Sequence, residues 1–234
     1  MMKFFRGLKR IPRVLCQRDF FLLPQPVGEI RGLKRLGSPY GGWVCQTAEL
    51  RSESVAYSFG VGTDISFDLE LVALTGCTLH AFDPTPDSAS WIRQQGLPAN
   101  LHFHGFGLAD RDGELIFRRP DIPGYFSPSA AFGYPGAGER FPVHRLATIM
   151  KKLGHSSIDL LKMDIEGSEY AVIENMCAEA IFPRQLLVEF HHRMAGIGIG
   201  KTKASLNQLR QAGYWLASVS PRGEEFTFVR PESG

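Results

Sequence analysis

"VAYSFGVGTDISFDLELVALTGCTLHAFD", Val55 to Asp83, decides the fold. Val55–Phe59 is a short β-branched and aromatic run that reads as a strand. Two glycines one residue apart, Gly60 and Gly62, then turn the chain. From Ile65 to Leu74 the apolar Phe67, Leu71 and Leu74 recur at helical spacing, and Gly76 stops the helix. Cys77–Asp83 is strand-like again. These 29 residues form one βαβ unit, which requires two parallel strands and a sheet with helices packed on it.

The same alternation continues outward. Ser88–Gln95 reads as a short helix closed by Gly96, and Leu101–Phe106 as a third strand. "GELIF" after the "DRDG" turn suggests an extra strand. Pro120–Pro142 is a long irregular loop whose Tyr125, Phe126, Phe132, Tyr134 and Phe141 either cover an acceptor or anchor the loop. Arg145–Leu153 is helical, Ile158–Met163 is the fourth strand, and a helix includes Tyr170–Cys177. Gln185–Phe190 is the fifth strand, followed by a helix at Lys203–Ala212. The end differs: "YWLASVSPRGEEFTFV", Tyr214–Val229, is two strand-like runs across a tight turn, so the last pair is antiparallel.

A chain of 234 residues, 44% hydrophobic and 21% charged, suits one α/β domain of ordinary globular composition. The net charge of +2 is unevenly spread. Residues 1–36 carry nine Lys/Arg against Asp19 and Glu29, and the rest is net negative. The expected organisation is a basic N-terminal arm over 1–36 and a single domain over 37–234. Phe4, Leu8, Ile11 and Leu15 would share one face if the arm were helical, giving weak contact with an anionic membrane surface. Gly7 and Pro12 weaken that helix and favour a surface arm. No apolar run is long enough for a bilayer span or an unbroken signal-peptide core. Cys16, Cys45, Cys77 and Cys177 contain no C-x-x-C pair, which fits reduced thiols in a cytoplasmic protein. With a net-negative body and no aromatic residues interleaved with Lys/Arg, no nucleic-acid partner is expected.

Three places carry chemistry. At the glycine turn, a dinucleotide site would need a third small residue, but Ile65 stands there. A nucleoside with an amino-acid tail asks less, and Asp83, 21 residues after Gly62, is placed to accept its ribose hydroxyls; a plain strand–helix turn is the bland alternative. "LLKMDIEGSEY", Leu160–Tyr170, delivers Asp164, Glu166 and Glu169 where a buried strand ends. "LLVEFHH" brings Glu189, His191 and His192 to the same sheet edge one strand later. Imidazole has a pKa suited to a general base.

"SFGVGTDISFD", "AFDPTP", "LLKMDIEGSEY" and "LLVEFHH", in this order and spacing, resemble the FkbM-type S-adenosylmethionine-dependent methyltransferases, in particular their methyltransferase-like branch. The resemblance covers about Gly37 to Val229, and K-x-D-x-E-G-x-E is its most specific motif. It implies a Rossmann-like class I methyltransferase fold: a three-layer α/β sandwich around a mostly parallel seven-stranded sheet with an antiparallel last strand. It further implies that Gly60 and Gly62 lie under the methionine portion of the cofactor, that Asp83 and Pro84 border the ribose, and that Gly107 and Leu108 border the adenine. "YGGW", with Gly42 and Trp43, would close over the cofactor. Many relatives carry an acid where this chain has Ser58, so Asp64 or Asp68 would compensate at the amino-acid tail.

The expected reaction is O-methylation of a hydroxyl on a small molecule, sugar or glycan, with His191 as base and Asp164, Glu166 and Glu189 positioning the acceptor. The same oxygen ligands could hold Mg²⁺ or Ca²⁺, although no spacing demands a metal. Two rivals are an inactive methyltransferase-fold scaffold and an NAD(P)-dependent oxidoreductase. Ile65 and the absence of a Tyr-x-x-x-Lys pair weigh against the latter.

Overall fold

In a computed structural model, the structure describes residues 30, 32–118, 127–128, 138–194 and 196–231. The basic arm before Ile30, Cys16, and the loop aromatics Tyr125, Phe126, Phe132 and Tyr134 lie outside the described residues. Phe141 lies inside them, buried against Phe117 with ring centroids 5.3 Å apart.

The βαβ unit forms as its sequence requires. β3 (Val55–Phe59) and β4 (Thr78–Phe82) run parallel, in register from Val55↔Thr78 to Phe59↔Phe82. Between them α1 (Ser66–Thr75) ends at Gly76, which takes the left-handed conformation and returns its N–H to the Val72 carbonyl. β5 (Leu101–His104), β10 (Leu160–Met163) and β11 (Gln185–Glu189) extend the parallel sheet. β12 (Trp215–Val219) and β13 (Glu225–Val229) close it as a hairpin, with β13 antiparallel to both neighbours. The order β12-β13-β11-β10-β3-β4-β5 is the seven-stranded sheet expected of a class I methyltransferase.

Side chains alternate across this sheet. Tyr57, Phe59, Leu161, Met163, Leu186 and Val188 meet α3 (Leu146–Leu153), α4 (Glu169–Ala178) and α5 (Ile199–Gln211) on one face. Ala56, Leu79, Ala81, Leu160 and Leu187 meet α1 and, through Ile92, α2 (Pro86–Ile92) on the other. Fully burying each large side chain stabilises the fold by about 1.5–3 kcal/mol, so this three-layer arrangement is where the chain's apolar surface goes.

Three details depart from the sequence expectations. α2 begins two residues earlier than Ser88 because Thr85 caps it and Pro86 occupies its first turn. The Pro120–Pro142 segment is not wholly irregular. Its end belongs to β9 (Glu139–His144), which pairs with β7 (Gly113–Arg118) and β6 (Gly107–Leu108), and β8 (Ser127–Pro128) joins this second sheet. Finally, the folded body begins before residue 37. β1 (Leu33–Leu36) pairs with β2 (Trp43–Gln46), and Leu36 is buried.

The β1–β2 hairpin is fastened to the sheet by side chains. The Gln185 amide accepts from the Gln46 N–H at 2.8 Å and donates to the Gln46 carbonyl at 2.7 Å, as a neighbouring strand would. The Thr227 hydroxyl donates to the Val44 carbonyl at 2.6 Å.

Candidate active site

The carboxyl ends of β3, β4 and β10 open into a cavity of about 330 Å³, lined among others by Gly60, Gly62, Asp64, Asp83, Pro84, Gly107, Leu108, Asp164 and Glu166. This is where ligands bind in open α/β sheets, and the volume falls within the roughly 300–1,000 Å³ of small-ligand sites. Trp43 and Tyr40 wall one side and Phe117 contributes from the second sheet.

The glycine turn is fixed by contact. Gly60 has φ +79°, and a β-carbon there would lie 1.8 Å from the Asp164 carbonyl oxygen, so any side chain would collide with the acidic motif. At Gly62 a β-carbon would meet nothing within 4 Å, leaving open space above the turn. Asp83 stands opposite. One carboxylate oxygen accepts from the Gly62 N–H at 2.9 Å. The other accepts the Thr85 N–H at 2.9 Å and the Thr85 hydroxyl at 2.5 Å. Four lone-pair sites less three donors leave one acceptor site for a ligand hydroxyl. Asp83 therefore anchors the turn as well as facing the cavity.

Asp64 accepts from the Ser66 N–H at the start of α1 and from the Ser38 hydroxyl, both hydrogen bonds under 3 Å. Although burial works against its charge, these hydrogen bonds hold its carboxyl below the usual range. Loop 37–42 is organised by Arg35, whose guanidinium donates to the carbonyls of Gly37, Ser38, Pro39 and Gly42.

Two residues assigned to the cofactor stand elsewhere. Ser58 is fully buried beneath the cavity floor beside Asp68, because strand alternation turns it towards α1. Gly42 is an acceptor for Arg35 and lies off the cavity wall, where Tyr40 and Gly41 stand instead. Asp68 is itself buried, with its carboxyl pushed up chiefly by desolvation, so it offers nothing to a ligand directly.

The acidic cluster forms because Glu166 takes a left-handed backbone, φ +53°, before Gly167 at +97°. Such a conformation costs on the order of 1–3 kcal/mol and folds Asp164 and Glu166 back over the end of β10. Glu169, fully buried, holds that bend by accepting the Gly167 N–H at 2.8 Å, and it accepts the His191 backbone N–H at 2.9 Å. The His191 ring places Nδ1 3.3 Å from Glu169 and Nε2 3.5 Å from Glu166 and 3.7 Å from Asp164. Glu189 and His191 thus stand behind Asp164 and Glu166 rather than on the cavity wall.

This gives His191 a part other than the base expected from its residue type. Desolvation opposes the imidazolium, but the hydrogen bond and charge of Glu169, aided by Glu166 and Asp164, push it up to about 10. An imidazole that already holds its proton at neutral pH accepts no other. Burial raises Glu166 to about 7 and Glu189 to about 9, with Asp164 adding to both and His191 opposing both. Asp164, Glu166 and His191 bring one ligand atom each within 4.8 Å of one another, a set that could take a divalent cation only with the His191 ring deprotonated.

Tyr40 and Gly41 of the "YGGW" segment line the cavity as expected, whereas Lys162, Thr85 and Phe117 line it without having been assigned to it from sequence. Lys162 and Thr85 left a signal there, as members of the K-x-D-x-E-G and "AFDPTP" runs, and Phe117 left none.

The Methyltransferase FkbM domain family matches residues 54–216. The chain belongs to this family. It is similar to the probable methyltransferase-like protein 24 of Homo sapiens and that of Rattus norvegicus, each 29% identical over 152 residues. These matches cover 64% of this chain and 36% of the relatives, so they span about a third of the relatives' length. Among solved structures it is similar to the methyltransferase FkbM from Methylobacillus flagellatus KT, at 14% identity and a TM-score of 0.48, covering 77% of this chain and 44% of that one. Among the described residues, no helix is long and apolar enough to cross a membrane.

Proposed function

We propose that this chain binds S-adenosylmethionine and transfers its methyl group to a hydroxyl oxygen of a small molecule, sugar or glycan. The observation that carries this reading is one cavity in which the glycine turn, the Asp83 carboxylate and the Asp164–Glu166 pair converge. Gly62 leaves room for a ligand at the turn, Asp83 keeps one acceptor site for a ribose hydroxyl, and Gly107 and Leu108 offer an apolar slot for a base.

When bound, the cofactor supplies an electrophilic methyl on a sulfonium that leaves as a neutral thioether. The chain's task is to align an acceptor oxygen with it and to receive that oxygen's proton. Glu166 fits the second role because its carboxylate faces the cavity, and the proton passes from the hydroxyl to its oxygen. Asp164 orients the acceptor, while Glu189 and the imidazolium of His191 stand behind and fix the charge balance. Ile65 weighs against a dinucleotide, since its buried side chain fills the place of the third glycine.

Calorimetric titration with S-adenosylmethionine and, separately, with NADH tests this. Saturable binding of the first alone, lost in Asp83→Ala while the melting transition persists, supports the reading. Binding of NADH alone would establish an oxidoreductase, and binding of neither would favour a scaffold.

A further inference from the structure

Among the described residues, Lys162 is the one Lys or Arg that is buried. It lies on β10 at the centre of the sheet, opposite Ser58 on one side and Leu187 on the other, and is only 5% exposed. Its Nζ donates to the carbonyls of Phe59 at 3.3 Å and Gly60 at 3.2 Å and sits 5.4 Å from the centroid of the Trp43 ring. An ammonium has three donors, so one N–H remains. Among the described residues no carboxylate stands within 4.0 Å of it. Asp68 is buried on the same sheet face but beyond ion-pair distance; desolvation pushes its carboxyl up, and the nearby Lys162 charge opposes that.

Removing an ammonium from water costs several kcal/mol unless an anion or a full set of acceptors replaces the water. Two carbonyls and one aromatic face compensate only in part. Lys162 is also on the cavity wall, between Trp43 and the glycine turn, so the missing partner has a place to come from. That place is the methionine end of the cavity. There Ser58 is fully buried and offers a ligand nothing, so Lys162 is the positively charged side chain at that part of the wall.

We propose that Lys162 recognises the carboxylate of the cofactor's amino-acid tail. This rests on the S-adenosylmethionine reading above. The bound carboxylate completes the third hydrogen bond of the ammonium and supplies its counter-charge, while the two carbonyl contacts hold Lys162 at a fixed distance from the turn. A charge-assisted hydrogen bond in a desolvated pocket is worth roughly 10- to 100-fold in affinity.

The test compares ligands that differ only in the tail, by calorimetry. In the wild-type protein, S-adenosylhomocysteine is expected to bind about 10- to 100-fold more tightly than its analogue with an aminopropyl tail, which keeps the amine and lacks the carboxylate. Lys162→Met is expected to weaken S-adenosylhomocysteine by a similar factor and to leave 5′-methylthioadenosine, which has no amino-acid tail, unchanged; Lys162→Arg should recover part of the loss. Equal weakening of both ligands in Lys162→Met, or wild-type indifference to the carboxylate, would overturn the proposal and leave Lys162 as a brace for the turn. The analogue comparison needs no variant, so it stands even if Lys162→Met does not fold. If wild-type protein binds neither nucleoside, the S-adenosylmethionine reading fails first and this one with it.

Discussion

Gly60 shows how much one residue can constrain. Its missing side chain is what lets the turn of β3 lie against the Asp164 carbonyl, so Gly60→Ala must push the two ligand-facing segments apart. We expect Gly60→Ala to lose on the order of 2 kcal/mol or more in denaturant titration, and to lose nucleoside binding even under conditions where it stays folded. Glu166 makes a complementary case. Glu166→Gln keeps the shape and removes the proton acceptor. Its kcat in a radiolabelled-methyl transfer assay should fall by about 10²–10⁴-fold while the affinity for S-adenosylhomocysteine is unchanged. An unaltered kcat would remove Glu166 from the chemistry. Neither the buried position of Lys162 nor the ring of acids that pushes His191 up could be read from residue type. Both depend on which strands become neighbours: β10 between β3 and β11 in the first case, and the approach of β11 to the start of α4 in the second.

At the scale of elements, period was the dependable signal. β3, α1 and the terminal hairpin fall within a residue or so of where alternation and the terminating glycine place them. The β1–β2 hairpin was not legible, because its first strand, "LKRL", carries two basic side chains and reads as the tail of the basic arm. In the structure Arg35 of that strand ties four carbonyls of loop 37–42, beside the cavity. Replacing it by Met should cost about 1 kcal/mol, since the contacts are solvent-exposed, and should speed amide hydrogen exchange across Ser38–Gly42. Unchanged exchange there would mean that the loop is held by Ser38 and Glu70, whose carboxylate accepts the Gly37 N–H, and not by Arg35.

Across the whole molecule, one sheet face carries a feature unrelated to ligand binding. His80, His102 and His104 from β4 and β5 meet His155 and Tyr57, with His80 Nδ1 2.9 Å from His104 Nε2 and Tyr57 Oη 2.6 Å from His155 Nδ1. Burial first, and then the neighbouring imidazoles, lower His80 to about 4 from the usual 6.5. Above pH 6.5 this ring is neutral in the folded and the unfolded chain and contributes no pH dependence. As pH falls from 6.5 towards 4, the unfolded chain takes a proton that the folded chain refuses, so stability declines through that window. His104 and His155 are lowered too and steepen the decline. Thermal melts should therefore shift downwards between pH 6.5 and 4, and His80→Phe should flatten part of that shift. Equal slopes for the two proteins would show that the imidazole cluster does not govern acid sensitivity.

The fastening of β2 by Gln185 and Thr227 has a further consequence. Trp43 and its loop wall the cavity, yet the side chains that hold their strand in place come 139 and 183 residues later. Closing contacts so far apart is slow and costs chain entropy before it returns any stability. On a ribosome the glycine turn, Asp83 and the acidic cluster would all have emerged while the wall above them still lacked its tether. The site would be finished only when Thr227 cleared the exit tunnel, so a nascent chain would carry the parts of a binding site well before it could hold a ligand.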